Sequence, residues 1–216
     1  MDIFAYGELS YFIFKWIHFL AGITWIGVLY YFNFIQGEWF KEIEDLTKGV
    51  AVRTLVPRAL WWFRWAAFFT FLTGLVLLYF IHMRLNLDII LGLTMGTLMM
   101  LNVWGIIWPN QKVVIGIKEG DASLAGPKAA LASRTNTLFS LPMLYFMVSS
   151  AHKPHGGYLL SGEMSMNALY AGMIIILAIQ ANAIWGKMLP VITSVRDVII
   201  SGIVLTIALS SIAFYL

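Results

Sequence analysis

Six long stretches of apolar residues dominate the chain, and each has about the length that an α-helix needs to cross a membrane. They run roughly over residues 10–35, 59–83, 88–109, 131–151, 166–186 and 197–216. A helix in lipid satisfies its own backbone hydrogen bonds, whereas an irregular chain does not. The sequence therefore predicts an all-α fold. We expect a polytopic bundle of about six transmembrane helices in a lipid bilayer, with residues 1–216 forming one domain.

Composition excludes several other classes of protein. Hydrophobic residues make up 60% of the chain and charged residues only 12%, whereas about 25% of a soluble domain is charged. This argues against a soluble enzyme, a disordered chain and a protein with a nucleic-acid partner. The chain has no cysteine, which excludes disulfides, iron–sulfur clusters, thiolate metal sites and covalently attached c-type haem.

The distribution of Lys and Arg predicts the orientation of the bundle. Of the 14 Lys and Arg residues, the predicted topology puts Lys15, Arg84 and Lys153 on one side and the other eleven on the opposite side. An excess of these residues marks the cytoplasmic side of a membrane. We therefore expect a multi-pass protein of the bacterial inner membrane with both termini outside.

The same topology collects the four histidines near the outer face. His82 and His152 come at the outer ends of predicted helices, and His155 follows in a loop rich in Pro and Gly. His18 lies inside the first span, about 12 Å from its outer end at 1.5 Å per residue. An ionisable side chain inside a span is by default a functional candidate. We interpret His155 as solvated and the other three as candidate ligands.

Two of these three histidines would suit a haem b. Such a haem needs two neutral imidazoles from facing helices, in an apolar slot with room for a flat ring. His18 has Gly22 one turn further along the same helix face, where no side chain would block a macrocycle. The predicted iron ligands are therefore His18 together with His152 or His82.

The outer cations support the same cofactor. Each of them lies close in the chain to a histidine, where it could bind a haem propionate. A copper or zinc site built from the same histidines stays an alternative, with Asp88 and Glu163 as the nearby carboxylates. The predicted cofactor-binding residues are His18, His82, His152, Gly22, Lys15, Arg84 and Lys153.

A second polar cluster lies at the predicted cytoplasmic helix ends. Buried amides in a bilayer need partners, so interhelical hydrogen bonds and an interfacial tryptophan belt would explain it. The alternative is a pocket for a planar anion or a quinone-like ring. Arg64 and Arg134 would then supply charge, Asn136 and Asn182 hydrogen bonds, and Trp104 or Trp108 stacking. The candidate substrate-binding residues are Arg64, Asn102, Trp108, Asn110, Arg134 and Asn136.

The acidic residues are also informative. All eleven Asp and Glu residues lie outside the apolar cores of the predicted spans. Proton-coupled transporters usually place a carboxylate at mid-membrane, so this pattern argues against a pump or a proton-driven carrier. It also predicts that no general acid–base pair is present.

Several stretches of the chain are similar to a known family. Residues 16–27 read WIHFLAGITWIG, residues 57–65 read PRALWWFRW, and residues 108–112 read WPNQK. Together with the NVW run at 102–104, with Asn136 and with Leu141-Pro142, they resemble the urate oxidase N-terminal family, the membrane domain of a cytochrome-c-linked urate hydroxylase. The resemblance covers residues 10–155, and the last two helices match in hydropathy alone.

The resemblance implies a redox function. Members oxidise urate to 5-hydroxyisourate and pass the electrons to a cytochrome c domain. Because this chain has no cysteine, we expect a separate soluble or membrane cytochrome c as the acceptor, with haem b as the electron carrier. Two histidine ligands would leave the iron no open position, so the added hydroxyl group would come from water.

Two alternatives remain open. One is a non-catalytic accessory subunit of a larger respiratory membrane complex, and the other is a channel for a planar anion. A homo-oligomer or a place in a larger complex is compatible with all three functions.

Overall fold

The computed structural model describes residues 3–152, 154, 155 and 157–216, and most of these residues are helical. Within that part of the chain the only β-pairing is an isolated bridge between Asn86 and Tyr158. The predicted all-helical class is therefore confirmed.

The helices follow one another with short connections. The first half comprises α1 (Ile3–Tyr30), a π-helical segment (Tyr31–Gln36), α2 (Gly37–Glu42), α3 (Asp45–Thr54), α4 (Val56–Ile81) and a 3₁₀ turn (His82–Arg84). The next elements are α5 (Leu87–Asn102), a second π-helical segment (Val103–Ile107) and α6 (Trp108–Val114). The last elements are α7 (Ala122–His152), α8 (Met166–Trp185), α9 (Pro190–Thr193) and α10 (Val195–Tyr215).

Five helical stretches of the described residues are long and apolar enough to cross a membrane. They are Gly7–Glu42, Val56–Arg84, Leu87–Val114, Met166–Trp185 and Val195–Tyr215. Each corresponds to one of the predicted spans, so a multi-pass membrane protein is consistent with both the sequence and the structure.

The sixth predicted span, residues 131–151, lies in α7. This helix is long enough to cross a membrane but is less apolar than the other five. The reason is its place in the bundle, because α7 contacts α1, α5, α6, α8 and α10. A helix surrounded by other helices can carry polar side chains that lipid would exclude. Its middle accordingly buries a polar run, Thr135, Asn136, Thr137 and Ser140.

Neighbouring long helices run antiparallel. The Tyr11 ring contacts the Phe80 ring with centroids 5.6 Å apart, so the start of α1 lies beside the end of α4. In the same way, the Asn86 amide donates to the Ser150 carbonyl at 3.0 Å and brings the start of α5 to the end of α7.

One end of the bundle therefore collects the histidines that follow α4 and α7. The His155 ring contacts Phe214 of α10 with centroids 6.0 Å apart. We call this end, with His82, His152, His155 and Leu216, the histidine end. The opposite end, with Arg64, Lys112 and Arg134, is the basic end.

Candidate functional site

His18 projects from α1 toward α4 and is half-buried. Its Nδ1 lies 3.1 Å from the Thr73 hydroxyl oxygen, and that hydroxyl donates its own proton to the Phe69 carbonyl at 2.6 Å. The Thr70 carbonyl lies 3.1 Å from the same hydroxyl. With the one hydroxyl proton on either carbonyl, His18 Nδ1 is the donor in the contact with Thr73. The other ring nitrogen, Nε2, then carries a free lone pair, which is the form of histidine that binds a metal.

A glycine on α4 makes room for this ring. A Cβ added at Gly74 would lie 3.2 Å from His18 Cε1, so a larger residue would press on the imidazole. Gly22, which the sequence suggested as the open position, faces the Thr70 methyl group at 3.8 Å from a built Cβ. Gly22 thus lies against α4 at ordinary contact distance, and Gly74 is the glycine that accommodates His18.

Trp25 lies seven residues after His18, on the same face of α1. Its side chain is buried, and its indole N–H has no hydrogen-bond partner among the described residues. Buried polar groups normally have a partner, so an unpaired one points to a missing ligand or water.

His82 and His152 are exposed at the histidine end. Each Nδ1 donates to a carbonyl oxygen one turn earlier in the chain, His82 to Tyr79 at 2.7 Å and His152 to Val148 at 3.0 Å. In the neutral form of each ring this leaves the lone pair on Nε2. The structure does not bring His82 to His18, because Thr73 and His82 are nine residues apart, about 13 Å along α4.

The three cations that were predicted to bind haem propionates differ in their surroundings. Lys15 lies over the Tyr11 ring at 5.5 Å and the Phe19 ring at 6.0 Å. Arg84 is exposed and lines an open surface depression with Tyr158. Lys153 lies outside the described residues. Within the described part of the chain no three His, Asp or Glu side chains come together as a metal-binding group.

A buried carboxylate and a histidine meet at the histidine end. Asp88, in the first turn of α5, is fully buried, and its Oδ2 lies 3.0 Å from His155 Nδ1. The same oxygen accepts hydrogen bonds from the Ser149 hydroxyl at 2.6 Å and the His155 backbone N–H at 3.2 Å. The interpretation of His155 as a solvated side chain is therefore wrong, because its ring is mostly buried and bonded to Asp88.

At the basic end, three of the predicted aromatic and cationic residues come together. The Arg64 guanidinium lies over the Trp108 ring at 4.0 Å, and the Trp104 indole N–H donates to the Arg64 carbonyl at 3.1 Å. This joins α4 to the second π-helical segment and to α6. π-Helical segments occur frequently at functional sites.

The predicted amides are largely occupied by the protein itself. Asn102 donates to Asn136 at 2.9 Å and exchanges hydrogen bonds of 3.0 and 2.7 Å with Gln180. Asn136 also donates to the Met99 carbonyl, and Asn110 donates to the Ile106 carbonyl of the preceding turn. The geometry of these three asparagines supports interhelical bonding and helix stabilisation rather than a pocket.

Two other groups at the basic end stay unpaired. Nη1 of Arg134 and Oε1 of Gln36 are buried without a hydrogen-bond partner among the described residues. They belong to neighbouring elements, because Asn33 of the first π-helical segment donates to the Ser133 hydroxyl of α7 at 2.8 Å. The sequence places both residues in the polar cluster at the cytoplasmic helix ends, but only Arg134 was a candidate binding residue.

Similarity to known proteins extends over more than half of the chain. The family model described as urate oxidase N-terminal matches residues 86–208 of the 216. No curated protein and no solved structure matches. The matched segment contains α8 and the first two thirds of α10, for which the sequence showed hydropathy alone, and it does not include α1. The chain therefore belongs to the urate oxidase N-terminal family.

Proposed function

We propose that the chain is a haem b-binding membrane domain that carries electrons for a urate hydroxylase. Membership of the urate oxidase N-terminal family supports the link to urate oxidation. The arrangement of His18 supports the binding of a redox cofactor, because the contact of Nδ1 with Thr73 leaves the lone pair on Nε2. Metal-binding histidines almost always donate the other ring N–H to a fixed acceptor in this way.

The residues around His18 give further support to a bound group. Gly74 leaves room for the imidazole itself against α4, and the unpaired indole N–H of Trp25 is a donor available to a bound group. Haem in this place would supply a one-electron carrier. Lys15, Arg84 and Lys153 remain the proposed partners of its propionates.

His152 is the second iron ligand in this proposal. The Tyr30 hydroxyl of α1 hydrogen-bonds the Ser140 hydroxyl of α7 at 2.9 Å. Twelve residues from each, toward the histidine end, lead to His18 and His152. Each count corresponds to about 18 Å of helix rise, and this supports His152 rather than His82 as the second ligand.

The family supplies the proposed reaction and partner. Urate is oxidised to 5-hydroxyisourate, and the electrons pass to a separate cytochrome c. The histidine end would face the periplasm of a bacterium, because most Lys and Arg residues lie toward the other end. A soluble cytochrome c could then dock where the histidines collect.

A reduced-minus-oxidised optical spectrum and a pyridine haemochrome assay of the purified protein test this proposal. We expect a b-type α band that His18→Ala and His152→Ala abolish and His82→Ala retains. A protein without an α band, or one whose band survives His18→Ala, would refute haem binding at this site. A colourless protein that co-purifies with a larger complex would instead indicate an accessory subunit.

The unpaired Arg134 and Gln36 favour a second candidate, a binding site for a planar anion at the basic end. A guanidinium donor and an amide acceptor would suit a ring that carries a negative edge and an N–H group. Arg64 and Trp108 would flank it. Urate flux into proteoliposomes that does not fall in Arg134→Gln would discard this candidate, with Lys118→Gln as an exposed control.

A further inference from the structure

The contact between Asp88 and His155 supplies a group that the proposed reaction requires. In balanced form, urate and water give 5-hydroxyisourate, two protons and two electrons. A C–O bond forms, water loses one proton, the purine loses another, and the electrons leave for the cytochrome c. A base must accept the proton from water while the bond forms.

We propose that His155 is this base and that Asp88 is its positioning residue. This inference rests on the proposed urate oxidation. With Asp88 as the carboxylate and His155 as the neutral imidazole, Nδ1 donates to Asp88 Oδ2 at 3.0 Å and the lone pair lies on Nε2. A carboxylate that holds Nδ1–H fixes both the tautomer and the direction of Nε2, as it does in catalytic triads.

The surroundings hold the imidazole in one place. Its ring stacks on Tyr145 of α7, with centroids 6.5 Å apart and planes 18° apart, and its edge meets Phe214 of α10. The His155 side chain still keeps 15% of its surface exposed, whereas Asp88 keeps none. The titratable groups that face the imidazole within the described residues are Asp88 from α5 and Tyr145 from α7.

A second observation points to a ligand at this pair. Asp88 Oδ1 is buried and has no hydrogen-bond partner among the described residues, although Oδ2 accepts three hydrogen bonds. A buried carboxylate oxygen without a donor is costly. A water molecule or a substrate N–H at this position would satisfy Oδ1 and lie next to His155.

Turnover of urate with cytochrome c as acceptor provides the first test. Asp88→Asn should lower kcat by about 10²–10⁴-fold with little change in KM, and flatten the acid side of the pH profile. His155→Ala should lose activity and regain part of it with free imidazole. Glu163→Gln, a nearby exposed carboxylate, is the control that should keep activity. A wild-type pH profile in Asp88→Asn, or no rescue of His155→Ala by imidazole, would overturn the proposal.

A chemical test does not depend on turnover. Diethylpyrocarbonate modifies accessible, unprotonated imidazole nitrogens, and mass spectrometry locates the adduct. His155 should be modified in the wild type, at a rate that changes in Asp88→Asn and not in Glu163→Gln. If the wild type lacks both haem and urate turnover, the proposed function is refuted. The diethylpyrocarbonate reaction then tests the contact between His155 and Asp88 by itself. If His82 is modified in the same sample and His155 is not, then Nε2 of His155 is inaccessible. That result would overturn the inference.

Discussion

The hydroxyl of Thr73 holds the imidazole of His18 across the contact between α1 and α4, with 3.1 Å between the oxygen and Nδ1. Since the same hydroxyl donates to the Phe69 carbonyl, Thr73 sets the tautomer of His18 as well as its position. A metal ligand held in this way commonly loses 10–100-fold in affinity when its partner is removed.

Thr73→Val should therefore lower haem occupancy about 10-fold or more at limiting haem. The substitution keeps the shape of the side chain and removes only the hydroxyl. Thr73→Ser, which retains the hydroxyl, is the matched control and should keep occupancy near the wild-type level. Haem titration followed by the α band measures both, and equal occupancy in the two variants would contradict the role of Thr73.

Gly74 and Gly22 provide a second pair of matched variants. A Cβ at Gly74 would come within 3.2 Å of His18 Cε1, whereas a Cβ at Gly22 would make an ordinary 3.8 Å contact with the Thr70 methyl group. We expect Gly74→Ala to displace the imidazole and shift or abolish the α band, and Gly22→Ala to leave it unchanged. A spectrum altered by Gly22→Ala alone would instead place the cofactor against Gly22.

The amides of Asn102, Asn136 and Gln180 should contribute to stability. Asn136→Ala removes an acceptor from Asn102 and a donor from the Met99 carbonyl, which should cost about 1–2 kcal/mol of unfolding free energy. Asn110→Ala removes one bond to a carbonyl of the preceding turn and should cost clearly less. Unfolding in mixed detergent micelles compares the two, and equal losses would show that the buried network adds nothing.

Two glycines of the loop after α7 have similar backbone conformations, but only one of them lies against another part of the chain. Gly157 and Gly162 both have positive φ, 76° and 73°, so alanine is strained at either position. A Cβ at Gly157 would also collide with the Glu163 backbone, while nothing lies near Gly162. Gly157→Ala should therefore lower the thermal midpoint more than Gly162→Ala, whose cost should be about 1 kcal/mol. The same midpoint for both would mean that the loop moves to accept the side chain.

The membrane-spanning helices could be predicted from the sequence because a helix against lipid must be apolar over its whole length. α7 is an exception to this rule. In its buried polar run, Asn136 bonds Asn102 of α5 and Ser140 bonds Tyr30 of α1. Hydropathy cannot distinguish such a helix from a less apolar surface helix.

The candidate site could be predicted only in part. His18 stood out because an ionisable residue inside a span is rare. Its partner Thr73 is 55 residues away, and Asp88 and His155 are 67 residues apart. Contacts of that separation depend on how the helices pack, and hydrophobic periodicity carries no information about them. His155 therefore resembled an ordinary loop histidine.

The polar centre of α7 has a consequence for biosynthesis. The hydroxyls of Thr135, Thr137 and Ser140 bond carbonyls of α7 itself. On its own, however, α7 would bring the Asn136 amide into the hydrocarbon without its partners, which is costly. Its entry into the bilayer should therefore wait until α5, which supplies the partner Asn102, is already in place beside it.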